Sequence, residues 1–144
     1  MIEILEGFSQ RMEFIAIVDS ITNRRNTTEK IESLFSENKM ENLILSALVY
    51  IMETTLTEEE ECTIENITIF IKSIISQYTN KTVDVKELTR YIIKDILQNK
   101  GQNRYYEIVN YTNNSTNKLP IRLIADKLND EEKVVYELTK QGYN

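Results

Sequence analysis

The chain has 144 residues, of which 41% are hydrophobic and 28% charged, and a formal net charge of −6 at pH 7. That is the composition of a soluble globular domain, or of one domain with an arm. With no His and a single cysteine, Cys62, it excludes an internal disulfide scaffold, His-based acid–base chemistry and His-containing metal sites.

Three Gly and one Pro leave little room for long loops. Residues 2–22 place Leu5, Phe8, Met12, Ile15 and Val18 at three- or four-residue spacing, with Glu3, Glu6, Gln10 and Glu13 between them. This predicts an amphipathic helix. The stretch "TNRRNTTEK" interrupts it, and Thr28 opens a short helix through Ile31, Leu34 and Phe35. Residues 39–56 predict a helix with Met40, Leu43, Ile44, Ala47, Leu48, Ile51 and Met52 on one broad face. Leu45, Val49 and Tyr50 carry the apolar surface nearly all round it, as in a central helix.

In "TLTEEEECT" two starts compete: Thr57 with Glu60 as a capping box, or Thr63 as a cap just before Ile64. Either leads into a helix to about Tyr78, apolar at Ile64, Ile67, Phe70, Ile71, Ile74 and Ile75. "TNKTVD" is a turn, and Asp84 caps a helix over 85–98 that closes at Gly101, which suits the left-handed position after a helix. Beyond Gly101 the apolar period shortens to two. "RYYEIVNYT", "LPIRLIAD" and "KVVYELT" read as strands, with Pro120 at the start of its strand, separated by the polar turns "NNSTNK" and "KLNDEE". Val134, Tyr136 and Leu138 are expected in the last strand, with Val134 or Val135 facing the core and Gly142–Asn144 frayed.

The fold class expected is therefore mainly α with a small antiparallel β-sheet. The order of elements from Asn38 onward resembles a winged helix-turn-helix domain. The most family-like run is "YELTKQGYN", with Tyr136, Leu138, Thr139 and Gly142 as the strand and exit of a wing. The resemblance implies that residues 63–78 and 84–98 form the helix-turn-helix pair and that roughly 119–139 form the wing. It divides the chain into an N-terminal helical arm (1–37), a candidate dimerisation element, and a winged-helix domain (38–144), with the whole expected to be the N-terminal part of a longer protein. Two features depart from the commonest pattern: the arm itself, and an additional strand at about 104–111. A weaker likeness is to the N-terminal winged-helix segments of bacterial kleisin-type subunits, which implies dimerisation or partner binding in a chromosome- or plasmid-associated protein.

DNA readout in this family needs a helix with a free face. On a helical wheel Val85, Leu88, Tyr91, Ile92, Ile93, Ile96 and Leu97 cover most of the circumference of 84–98. The polar strip left over holds Glu87, Arg90, Lys94 and Gln98, with Lys86 at its margin, and Glu87 is one turn from Arg90. Such a helix is packed on two sides. The candidate nucleic-acid contacts are Lys81, Lys86, Arg90, Lys94, Arg104, Lys118 and Arg122. Against them stands the charge distribution: residues 1–80 carry 14 acidic and six basic residues, and residues 81–144 carry nine and 11. That is a small basic surplus for a binder that must neutralise phosphates, and a solvated helix face explains the strip more simply.

Other constellations reduce to structure. The run Glu58–Glu61 cannot converge on one ion if helical, since consecutive residues point in different directions, and it suits a helix start. Tyr105, Tyr106 and Tyr111 beside Arg104 could form a stacking platform for single strands, but tyrosines pack small sheets in the same way. The Asn-x-Ser/Thr triplets at Asn26, Asn66 and Asn80 are expected in an Asn-rich chain without a secretory signal. No phosphate loop or nucleophile elbow occurs, and Cys62 has no His to activate it. The expectation is a non-catalytic, cytoplasmic module with no cofactor, no small-molecule substrate and no membrane span, working as a homodimer or with a protein partner. The candidate dimer interface is Leu5, Phe8, Met12, Ile15 and Val18. The competing expectation is a transcriptional regulator that binds duplex DNA through helix 84–98 and the wing 119–139.

Overall fold

The computed structural model describes residues 12, 14–57, 61–111, 114–121 and 123–139. Its helices come first and its strands last, so the chain is mainly α with a small antiparallel β component. The frayed end expected at Gly142–Asn144 lies outside the described residues.

Helix α1 covers residues 14–22. It buries Ala16, Ile17, Ser20 and Ile21, the 16/17/20/21 stripe that one helix face presents at 3.6 residues per turn. The Ser20 hydroxyl donates to the Ile17 carbonyl at 2.7 Å, which is how a polar residue enters that stripe. The 15/18 stripe picked out by the sequence pattern is the opposite, outward face. The segment "FIAIV" is apolar at every position, so its periodicity alone could not choose between them.

A short helix α2 (Glu29–Glu32) follows, burying Ile31, with Phe35 buried just beyond it. Helix α3 (Lys39–Thr57) buries Met40, Leu43, Ile44, Ala47, Leu48, Ile51 and Thr54. It is central on that face, whereas Leu45 and Val49 stay exposed. Because α3 runs through Thr57, Thr63 provides the next cap. Its hydroxyl accepts the Asn66 N–H at 3.2 Å and starts α4 (Ile64–Ile74), which tightens into a 3-10 turn at Ile75–Gln77.

Asp84 caps α5 (Val85–Arg90) by accepting the Glu87 N–H at 3.2 Å. The helix then widens into a π-helical segment, Tyr91–Leu97, closed by the Gln98 N–H on the Ile93 carbonyl at 2.9 Å. The sequence predicts a uniform helix here. The wider turn aligns Tyr91, Ile92, Ile93, Ile96 and Leu97 with the interior, and all five are buried. Asn99, Lys100 and Gly101 follow with φ of 50°, 54° and 74°, a left-handed exit in which only the glycine escapes the Cβ penalty.

Four strands make two antiparallel hairpins. β1 (Tyr105–Asn110) pairs with β2 (Ser115–Pro120), and β3 (Ile124–Leu128) pairs with β4 (Val134–Leu138). Two expectations change. "LPIRLIAD" is not one strand: β2 ends at Pro120, and β3 begins after Leu123, whose carbonyl accepts the Thr139 N–H at 3.0 Å. Pro120 thus ends a strand, and the hairpin expected over 119–139 spans 124–138. Its turn is held by Asn129, whose side-chain oxygen accepts the Glu131 and Lys133 N–H groups at 2.9 and 2.8 Å. In β4, Val135 is buried and Val134 exposed, so the core takes the former. On the far edge of β4 the Tyr136 N–H donates to the Cys62 carbonyl at 2.8 Å. The segment 61–63 therefore lies along β4 as a short third lane.

The described part of the arm, residues 14–37, is built into this core. Ile17, Ile21, Ile31 and Phe35 join Leu43, Ile67, Leu88 and Ile92 in one apolar cluster, each fully buried side chain contributing about 1.5–3 kcal/mol. A polar seam closes the junction. The Arg24 guanidinium donates to Glu32, to Glu41 at 2.7 Å and to the Ile21 carbonyl at 2.9 Å. The Tyr91 hydroxyl donates to Glu32 at 2.5 Å and accepts the Thr28 N–H at 3.2 Å. Burial and then the Glu32 carboxylate push the Tyr91 phenol up, and bonding to Glu32 first and Glu41 next holds the Arg24 guanidinium charged despite its burial.

Two stability measurements test this account. Arg24→Met should lower unfolding free energy by about 2–4 kcal/mol in urea titration, because it leaves two partly enclosed carboxylates without their cation. Gly101→Ala should cost about 1–2 kcal/mol through its backbone angle alone, since a Cβ there meets nothing within 4 Å.

Candidate interaction surfaces

Each candidate cation has a definite place. Arg104 precedes β1, and its guanidinium donates to the Ser20 carbonyl at 3.2 Å and the Asn23 carbonyl at 2.9 Å, with Asp19 at 3.8 Å. These are carbonyls at the C-terminal end of α1, where a cation satisfies groups the helix cannot. Burial lowers the Arg104 pKa, Arg25 pushes in the same direction and Asp19 opposes both. Arg104 ties the first hairpin to the arm and does not face solvent as a nucleic-acid contact would. Lys94 lies over the Tyr136 ring, 5.1 Å from its centroid, a cation–π contact that joins α5 to β4. Lys81 donates to the Ser33 carbonyl at 3.1 Å. Lys118 is exposed on β2, in register with Glu107 of β1. Arg122 lies outside the described residues.

Lys86 and Arg90 are the two that come together. Both are exposed on α5 and line an open groove of about 350 Å³ with Ile64, Thr68 and Ile69 of α4. Glu87, one turn from Arg90, instead faces Lys30 of α2 at 3.6 Å, on an exposed and therefore weak pair. No ion pair among the described residues engages Lys86 or Arg90. Ile69, which falls on the opposite side of α4 from its 64/67/71/74 apolar series, is exposed.

Of the candidate dimer residues, Leu5 and Phe8 lie outside the described residues and Met12 is half-buried. Ile15 and Val18 are 45% and 42% exposed, and Phe14 joins them at 58%. One side of α1 is thus docked on the core while the other presents three large apolar side chains to solvent. Phe14 was missed because it falls off the 5/8/12/15/18 series. Its neighbours in an all-apolar pentapeptide were the signal that two faces were available.

The tyrosines do not form one platform. Tyr105 and Tyr106 are successive strand residues and point to opposite faces, the first exposed and the second half-buried. The acidic run is described only at Glu61, which accepts a hydrogen bond from the Asn129 side chain and so braces the β3–β4 turn. Among the described residues no helix is long and apolar enough to cross a membrane.

In comparisons with protein families, with characterised proteins and with solved structures, nothing matches this chain.

Proposed function

We propose that the chain is a non-catalytic winged-helix module of a larger bacterial protein that mediates self-association or binds a protein partner. The winged-helix reading is supported by the order α3, the extended lane at 61–63, α4, α5 and the β3–β4 hairpin, and by the lane's bond to β4 through Cys62 and Tyr136. Departing from the commonest plan, the β1–β2 hairpin stands between α5 and the wing.

The observation that carries the interaction reading is the outward stripe of α1, formed by Phe14, Ile15 and Val18. A helix anchored by Ala16, Ile17 and Ile21 holds that stripe in a fixed position, and a contiguous exposed apolar stripe on a rigid element is the signature of a covered surface. A second copy presenting the same stripe across a two-fold axis completes it. The DNA-binding alternative rests on the Lys86–Arg90 pair. It is the weaker reading because Lys81, Lys94 and Arg104 are engaged within the chain, and phosphate neutralisation dominates such affinity.

Sedimentation equilibrium separates the halves of this reading. The wild-type chain should dimerise at high micromolar concentration, and Ile15→Glu with Val18→Glu should leave a folded monomer. A wild-type chain that stays monomeric removes the self-association half. For the alternative, duplex DNA at low salt should show no anisotropy change that Lys86→Glu with Arg90→Glu abolishes; such a change would establish it.

A further inference from the structure

The β1–β2 hairpin is held differently from the rest of the chain. None of its described residues belongs to the buried core, and a lone two-stranded ribbon is marginal in water. Arg104 and Ile121, at its base, tie it to the body. The Ile121 N–H donates to the Arg104 carbonyl at 2.7 Å, so Arg104 and Ile121 are a hydrogen-bonded pair of the ladder. Hydrogen-bonded pairs alternate along an antiparallel ladder. With Tyr105 opposite Pro120 and Tyr106 opposite Leu119, the inward-bonding residues of β1 are Tyr106, Ile108 and Asn110. Tyr105, Glu107 and Val109 therefore turn their N–H and C=O groups away from β2, one donor and one acceptor apiece.

The two edges of this ribbon differ chemically. The β2 edge is interrupted by Pro120, which has no N–H, and carries Lys118, both features that discourage strand addition. The β1 edge has a full set of backbone groups on a strand of aromatic and β-branched residues. Tyr105 and Val109, 54% and 62% exposed, flank Glu107 on the same face. Lys118 of β2 is the cross-strand neighbour of Glu107, but no ion pair among the described residues joins them, and the outer side of Glu107 is open.

We propose that the outer edge of β1 is a strand-docking site for an extended protein segment carrying Lys or Arg at its centre and apolar or aromatic residues two positions to either side. The inference rests on the reading of the chain as an interaction module and names the partner's chemistry. Strand addition supplies main-chain hydrogen bonds, and alternate side chains supply selectivity. The incoming basic residue sits opposite Glu107, where opposite charges are favourable and like charges are not. The same carboxylate counts against two other occupants. A second copy using all three outward residues across a two-fold axis sets Glu107 against its own equivalent. A single-stranded nucleic acid stacking on Tyr105 brings phosphates to Glu107 while Arg104 is committed to α1.

The test uses the full chain, isotope-labelled, and a blocked heptapeptide probe, Thr-Tyr-Thr-Lys-Thr-Tyr-Thr. The peptide should shift the amide signals of Tyr105, Glu107 and Val109. Replacing its central Lys by Glu should weaken binding up to about fivefold. Glu107→Gln should remove that preference while keeping the edge. Glu107→Pro should abolish binding with the β1–β2 ladder intact, because the N–H it deletes points away from β2. The proposal is overturned if the β1 amides do not respond, if Glu107→Pro binds as wild type does, or if oligo-deoxythymidine shifts these amides and the peptide does not. The dimer set by Ile15 and Val18, measured on the same samples, reports separately on the module reading.

Discussion

Helix α5 and its π-helical continuation bury Leu88, Thr89, Tyr91, Ile92, Ile93, Ile96 and Leu97, and a segment buried over so much of its circumference must be enclosed from more than one direction. That demand places its neighbours. α3 and α4 supply one wall, and the apolar faces of α1 and α2 supply another through Ile17, Ile21, Ile31 and Phe35. Tyr91 is where the walls meet. Its ring is buried and its hydroxyl must find a partner, and the partner it finds, Glu32, is itself held by Arg24. The arm is thereby part of the fold's interior and its outward face is oriented by the same packing.

Two further junctions use cations in the same economical way. Lys94 covers the Tyr136 ring and Arg104 closes the end of α1. Both side chains sit where they join successive parts, the π-helical segment to the β3–β4 hairpin and the β1–β2 hairpin to α1. The cost is borne by the protein's positive field, which was small from the outset. Outward-facing features of a different kind are an apolar stripe on α1, an isoleucine of α4 beside two cations of α5, and the open edge of a hairpin.

Much of the architecture was legible in the residues. The 40/43/44/47/48/51 series announced the buried face of α3, Asp84 announced the start of α5, and Gly101 the left-handed exit. The misreadings have local causes. Thr57 and Thr63 are equally good caps, and only the length of α3 decided between them. "LPIRLIAD" alternates without a break, although Pro120 ends β2 and Ile124 opens β3 in a different hairpin. A π-helical turn leaves no mark in a 3.6-residue pattern when apolar residues already cover most of the circumference, as in "YIIKDIL".

The sequence by itself determined the class of fold, the cap at Asp84 and the succession of helices before strands, since these follow from spacing and from side chains acting within a few residues of themselves. Only the tertiary structure decided which face of α1 is outward, which cations are engaged and which strand edge is open. Those depend on residues far apart in the chain, such as Arg104 with Asn23, Tyr91 with Glu32 and Tyr136 with Cys62, whose pairing is settled by packing and leaves no local trace.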